Sequence, residues 1–269
     1  MAKTILITGA TDGIGYETAQ MLVAEGHHIL LHGRNRKKLE DVESTLLQRA
    51  ESDQIKTFVA DLSNLADVRT LAQDITDQYS HLDVLINNAG VLKVDNPVTP
   101  DGLDVRFVVN TIAPYLLTKL LLPLMSADGR IINVSSAAQS SVNEEALQGA
   151  NIHMETMEAY SQSKLAITMW SAHMAQTNPL GPCIIAVNPG SLLASKMVQE
   201  GFGIEGNDIT IGAKILTQLA LEEAYKDKSG QYFDNDLGRF SRPHADAQNE
   251  NKIQIVVNAL EKLLSEKFS

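Results

Sequence analysis

The sequence predicts a single doubly wound α/β domain, a parallel sheet covered by helices on both faces. Short β-branched and leucine-rich runs alternate along the chain with longer stretches of helical length. The short runs at residues 4–8, 29–32, 55–60, 84–87, 130–135 and 184–188 are largely apolar, as strands buried on both faces must be, instead of alternating. Helical crossovers between such strands make right-handed parallel connections the natural topology. No repeat, low-complexity tract or linker divides the chain, so one domain over residues 1–269 is expected.

Composition narrows the function classes. Lys plus Arg number 22 against 33 Asp plus Glu, a formal net charge of −11, which argues against nucleic-acid binding because phosphate contacts need a basic face. With 44% hydrophobic and 20% charged residues the chain reads as an ordinary globular protein. Its one cysteine, Cys183, has no internal disulfide partner and lies in an apolar strand. No apolar stretch reaches the ~18 residues of a membrane span, the longest candidate at 114–125 being interrupted by Lys119 and Pro123. The N-terminal run lacks the plan of a secretory signal, so the cytoplasm is the expected location. His27, His28 and His32 flank a strand without accompanying acids or thiols, and no metal site is expected.

Taken in order, the first strand ends in Thr8-Gly9-Ala10-Thr11-Asp12-Gly13-Ile14-Gly15, and an amphipathic helix follows through Ala24. Glycines at a strand-to-helix turn let the backbone approach a pyrophosphate, which the helix N-terminus stabilises with free N–H groups and its dipole. This is the plan of a Rossmann-type dinucleotide fold, with Gly9, Thr11, Asp12, Gly13, Ile14 and Gly15 as cofactor candidates. The second strand runs into Gly33-Arg34-Asn35 where an NAD enzyme would carry an acid for the ribose. Gly33 leaves room and Arg34 offers a planar cation for a 2′-phosphate, with Arg36, Lys37 and Lys38 adding positive field, so NADP(H) is the expected cofactor.

Three more motifs follow: Asn87-Asn88-Ala89-Gly90 after the fourth strand, Ser135-Ser136 after the fifth, and Tyr160-Ser161-Gln162-Ser163-Lys164 on the next helix. With TGATDGIG, and in this order, they resemble a short-chain dehydrogenase/reductase over nearly the whole chain. HGRN, NVSS, AYSQSKLA and the SGQYF tail are similar to the retinol-dehydrogenase-like branch. The resemblance implies that Asp61, followed by Leu62, lies at the adenine and that Asn88, Ala89 and Gly90 support the cofactor. It also places the Pro189-Gly190 pair at the cofactor, makes Asn110, in a helix beginning near Asp104, a water-holding group, and implies a homodimer or homotetramer. The helices at residues 111–125 and 158–175 are then the contact surfaces.

Tyr160 and Lys164 are four positions apart, so on a helix they share a face. A phenol titrating near ~10 needs a partner to work near neutrality. An ammonium ~4 Å away contributes about 4 kcal/mol at an effective dielectric of ~20, enough to lower it. Tyr160 is thus expected as general acid/base, Lys164 as its electrostatic partner, and Ser136 as the hydrogen bond to a substrate oxygen. The function expected is hydride transfer between a nicotinamide and a small carbonyl or alcohol substrate. A cofactor-binding sensor of the same fold is the alternative.

One position departs from the family pattern. Ala194 stands where a threonine holding the nicotinamide carboxamide is usual; Ser195 either replaces it or caps a helix. Irregular segments at about 139–158 and 191–211 are expected to form the substrate pocket, with His153, Met154 and Met157 just before Tyr160.

Overall fold

The computed structural model describes the whole chain except Arg49, Ser52, residues 151–153 and Ser269. Six parallel strands lie where the apolar runs place them: β1 (Thr4–Ile7), β2 (His28–Gly33), β3 (Ile55–Val59), β4 (Val84–Asn87), β5 (Arg130–Val134) and β6 (Cys183–Asn188). Two more extend the sheet, β7 (Tyr232–Asp234), parallel to β6, and β8 (Arg239–Ser241), antiparallel to β7. The order is β3-β2-β1-β4-β5-β6-β7-β8, so the sheet reverses its direction of growth between β1 and β4, where such folds open a crevice.

Helices α1 (Gly13–Ala24), α2 (Arg36–Leu46) and α9 (Thr210–Leu221) cover one face over a core that includes Ile5, Ile7, Leu31, Val187 and Leu216. The other face carries α3 (Leu65–Gln78), α4 (Val105–Phe107), α5 (Ala113–Leu121), α7 (Thr156–Thr177) and α10 (Glu250–Lys267). Short helices α6 (Glu144–Leu147) and α8 (Lys196–Phe202) lie in the two irregular segments, at the strand ends. Side-chain caps start several of these helices where the sequence offers a short polar residue: Asp12 for α1, Asn35 for α2, Asn64 for α3 and Ser195 for α8.

Two expectations need correction. The stretch Val105–Leu124 is long and apolar enough to cross a membrane by length and composition, since Lys119 and Pro123 do not interrupt the helical run; yet 72% of its apolar window is buried inside the fold, against α3 and α7. It is built as a core helix. Second, the faces at 111–125 and 158–175 are not wholly open, because α10 lies over part of them. Leu260, Leu263 and Leu264 of α10 pack in the same cluster as Leu117, Trp170 and Met174. Glu261 accepts hydrogen bonds from the Tyr115 hydroxyl and from Lys119 Nζ, the latter at 2.5 and 2.7 Å. The chain covers part of the surface expected for self-association with its own last helix.

Candidate active site

A cleft of about 720 Å³ runs across the carboxyl ends of the strands from Arg34 and Lys38 to Tyr160 and Lys164. Its floor is the glycine loop. Gly9 has φ +65°, and a Cβ there would fall 2.8 Å from the Ala89 Cα. Asn88 locks this contact: its side-chain N–H groups donate to the Thr8 and Gly9 carbonyls at 2.8 and 3.1 Å, while Thr8 Oγ1 accepts from the Asn88 and Ala89 amides. Gly13 is different. It has φ +58°, and the nearest atoms to a Cβ there, on Ile209 and Ser195, are 3.8 Å away, while its amide donates to the Asp12 carboxylate at 2.8 Å. The start of α1 beyond that cap opens on the cleft at Ile14, and a helix N-terminus in this position favours an anion. Gly15 does not line the cleft; it is the place where α1 meets Asn88, whose Nδ2 would be 2.4 Å from a Cβ.

His32 is a strut beneath this loop that the sequence reading treated as bland. It is buried, its Nε2–H donates to the Ala60 carbonyl at 3.1 Å, and its Nδ1 accepts from the Gly9 amide at 3.3 Å. Burial pushes it down to about 4, so it is neutral and can accept at Nδ1. One imidazole thus ties the ends of β1, β2 and β3 together. At the adenosine end, Arg34 and Lys38 are exposed at the cleft wall, with Asn35 between them accepting from the Lys38 amide at 3.0 Å. Gly33 is required there by space, since a Cβ would meet Thr11 Cγ2 at 2.6 Å. Asp61 and Leu62 line the same wall, the Asp61 carboxylate accepting from the Ser63 amide and hydroxyl.

At the other end, Ser136 and Tyr160 face each other across the cleft while Ser135 turns away, its Oγ bonded to the Lys164 carbonyl and to Thr168 within the core. The Ser136 carbonyl accepts from the Tyr232 hydroxyl at 3.1 Å and from Gln139 Nε2 at 3.0 Å. Lys164 reaches from the same face of α7 as Tyr160, its Nζ 5.8 Å from the centre of the tyrosine ring and donating to the Val134 carbonyl at 2.7 Å.

The electrostatics run opposite to the expectation. Desolvation raises the Tyr160 phenol above its ordinary value, and the group that pulls it down is the Ser136 hydroxyl, not Lys164. Burial takes Lys164 itself down to about 7. A lysine with 3% of its surface exposed and one carbonyl partner holds its charge weakly, so near neutrality it offers the phenol only part of an ammonium.

Asn110 sits in a π-helical turn (Val108–Ile112) between α4 and α5. Its Nδ2 donates to the Val91 carbonyl and to Ser163 Oγ, and its Oδ1 accepts from the Val91 amide. Both amide N–H groups are engaged, and the residue lies beneath the cleft instead of lining it. The side chain therefore braces the Gly90–Val91 turn beside Lys164.

After β6, Pro189 and Gly190 line the cleft, and Ser195 caps α8 by accepting from the Val198 amide at 3.3 Å. Its Cβ lies 3.8 Å from where a Gly13 Cβ would be, so Ser195 belongs to the mouth above the glycine loop. The walls are apolar: Leu192, Met197 and Phe202, from the segment expected to form the pocket, line the cleft with Met157, and Leu92, which the sequence reading did not name, joins them. Leu192, Phe202 and Met157 are 42%, 47% and 42% exposed, an open collar from the irregular segments. Met154 is instead packed inside, its carbonyl within reach of the buried Arg106 guanidinium, and His153 lies outside the described residues. Among the described residues no cluster of His, Cys, Asp or Glu could hold a metal ion.

The family model described as short chain dehydrogenase matches residues 3–202. Retinol dehydrogenase 13 of Homo sapiens is 31% identical over 265 residues, covering 91% of this chain and 80% of that protein. A putative uncharacterized protein from Mycobacterium paratuberculosis superposes with a TM-score of 0.79 at 28% identity, over 97% of this chain and 92% of that one. A putative short chain dehydrogenase from Escherichia coli CFT073, solved with NADPH, is 27% identical with a TM-score of 0.69, over 87% and 96% of the two chains.

Proposed function

Because the chain belongs to the short chain dehydrogenase family and is built as an oxidoreductase, we propose that it transfers hydride between NADP(H) and a small carbonyl or alcohol substrate, with Tyr160 as general acid/base. The observation that carries this reading is one continuous cleft joining the cation pair Arg34 and Lys38, the glycine loop at the start of α1, and the Ser136, Tyr160 and Lys164 side chains. The NADPH complex of the Escherichia coli relative supports the same cofactor. Gly13 with the N-terminus of α1 would hold the diphosphate, Arg34 and Lys38 the 2′-phosphate, and Pro189 and Gly190 the nicotinamide end. When bound, the dinucleotide supplies the hydride and, in its oxidised form, a positive ring.

The protein's own part is proton placement. A phenol raised by burial is protonated at neutral pH, the form needed to donate to a carbonyl oxygen as it becomes an alcohol. The one Ser136 hydroxyl hydrogen goes to the phenol oxygen before substrate arrives and turns to the substrate oxygen once a carbonyl is bound. Lys164, near 7, exchanges a proton readily, and so can restore the one Tyr160 gives away. The apolar collar of Leu92, Met157, Leu192, Met197 and Phe202 favours an apolar carbonyl over a charged one. Residence in the cytoplasm belongs to the same proposal, checked by fractionation of the cells that make the protein.

The test is NADPH oxidation with aldehydes, ketones and diketones, wild type against Tyr160→Phe. Loss of the proton donor lowers kcat by about 10²–10⁴-fold while NADPH still binds. A Tyr160→Phe protein that keeps most of its turnover refutes the assignment. Tight NADPH binding by the wild type without turnover on any carbonyl makes it a sensor instead.

A further inference from the structure

The turn between β7 and β8, beyond the part of the chain that the family model matches, holds the loop after β6. Asp236 Oδ1 accepts from the Ser191 amide at 2.8 Å, and its Oδ2 accepts from the Ser191 hydroxyl and from Asn188 Nδ2, the latter at 2.8 Å. Asn235 adds two bonds, its Nδ2 donating to the Pro189 carbonyl at 2.8 Å and its amide to the Asn188 carbonyl at 3.1 Å. Asn188, Pro189 and Ser191 of the nicotinamide-side loop are thereby pinned to one tight turn.

The loop needs pinning. Leu192 has φ +53°, the one non-glycine positive φ among the described residues, and such a conformation persists only where its surroundings over-determine it. From the other side Asn207 completes the hold: its amide donates to the Leu192 carbonyl at 2.7 Å and its carbonyl accepts from the Ala194 amide at 2.7 Å. Leu192 is thus held between two anchors, with its side chain in the cleft wall.

We propose that Asp236 is a positioning residue for the nicotinamide end of the cofactor site, acting through Ser191 to fix the Pro189–Gly190 backbone and, with it, Leu192 at the substrate mouth. This rests on the reading that the cleft takes NADP(H). Asp236 is itself exposed and does not line the cleft, so its effect on the site passes through Asn188 and Ser191, which do. A carboxylate fits the task because it accepts at both oxygens, whereas an amide accepts at one.

The experiment compares wild type, Asp236→Ala, Asp236→Asn and, as a control on the same turn, the exposed Leu237→Ala. Three readouts are taken: amide hydrogen exchange over residues 188–195, the Kd for NADPH by fluorescence titration, and kcat with a carbonyl substrate. Asp236→Ala is expected to speed exchange at Ser191 and to weaken NADPH about tenfold, the loss of charge-assisted hydrogen bonds, with Tm moved by no more than about 2 °C. Asp236→Asn, which keeps one acceptor, falls between, and Leu237→Ala matches the wild type. If Asp236→Ala exchanges at Ser191 and binds NADPH as the wild type does, the inference is overturned while the function stands. If the wild type does not bind NADPH at all, the functional reading fails and takes the inference with it, whatever the exchange at Ser191.

Discussion

Replacing Lys164 by methionine should stabilise the protein while it removes activity, and the size of the effect should depend on pH. Lys164 is lowered from 10.5 to about 7 by burial, so keeping it charged in the folded state costs about 5 kcal/mol. In the unfolded chain the lysine stays protonated up to its ordinary value. Below pH ~7 it is charged in both states and the full penalty is present; between about 7 and 10.5 folding releases its proton, and stability rises with pH by up to about 1.4 kcal/mol per pH unit. Methionine fills similar space without the charge but leaves the Val134 carbonyl without its partner, which returns about 1–3 kcal/mol. At pH 6 Lys164→Met is therefore expected to be about 2–4 kcal/mol more stable than the wild type. By pH 9.5 that advantage shrinks by about 3 kcal/mol and can change sign. Urea unfolding of both proteins at the two pH values, with NADPH oxidation measured alongside, checks this. A variant less stable than the wild type at pH 6, or an advantage that does not shrink with pH, refutes the claim that burial dominates this lysine.

Other consequences follow from the same geometry. Arg34→Ala removes the cation at the adenosine end, and its NADPH affinity should fall about 10–100-fold in a fluorescence titration while NADH changes little. Gly15→Ala drives a Cβ to 2.4 Å from Asn88 Nδ2 and should cost about 2–4 kcal/mol in thermal unfolding, whereas Gly13→Ala has space and should lose about 1–2 kcal/mol to its φ of +58°. In a size-exclusion and light-scattering run the intact chain should behave as a 29.3 kDa monomer, and removal of residues 250–269 should make it associate or precipitate by uncovering Leu117, Trp170 and Met174.

The legible part of the fold was the part written as local pattern. Residues 84–87 read as a buried strand, and β4 has those bounds; the other five apolar runs differ from their strands by one residue at one end, or at both ends for β2, where pairing stops. Tyr232, Phe233, Arg239 and Phe240 gave no such run: β7 and β8 have three residues each, too few to show a period, and exist because β6 offers an edge. The spacing of Tyr160 and Lys164 foretold a shared face, and they share it. What spacing does not encode is burial. The same four-residue step yields a strong ammonium at a surface and a weak one under α7, and only the packing around Val134 decides which. His32 looked bland for a like reason, because its partners, Gly9 and Ala60, are 23 and 28 residues away.

The chain also divides its labour along its length. The side chains proposed for the chemistry lie within residues 3–202, the part that matches the family model. Fixtures that hold their backbone come largely from beyond it: Tyr232 on the Ser136 carbonyl, Asp236 on Ser191, and α10, through Glu261, on Tyr115 and Lys119. The first two reach loops that start at the carboxyl ends of β5 and β6, where the backbone leaves the sheet and loses its ladder of hydrogen bonds. A site assembled from such ends needs external partners to stay within the few tenths of an ångström that hydride and proton transfer demand. A C-terminal segment that docks against two of them supplies those partners at once, so substitutions at Tyr232 and Asp236 are expected to change turnover and cofactor affinity without touching a reacting atom.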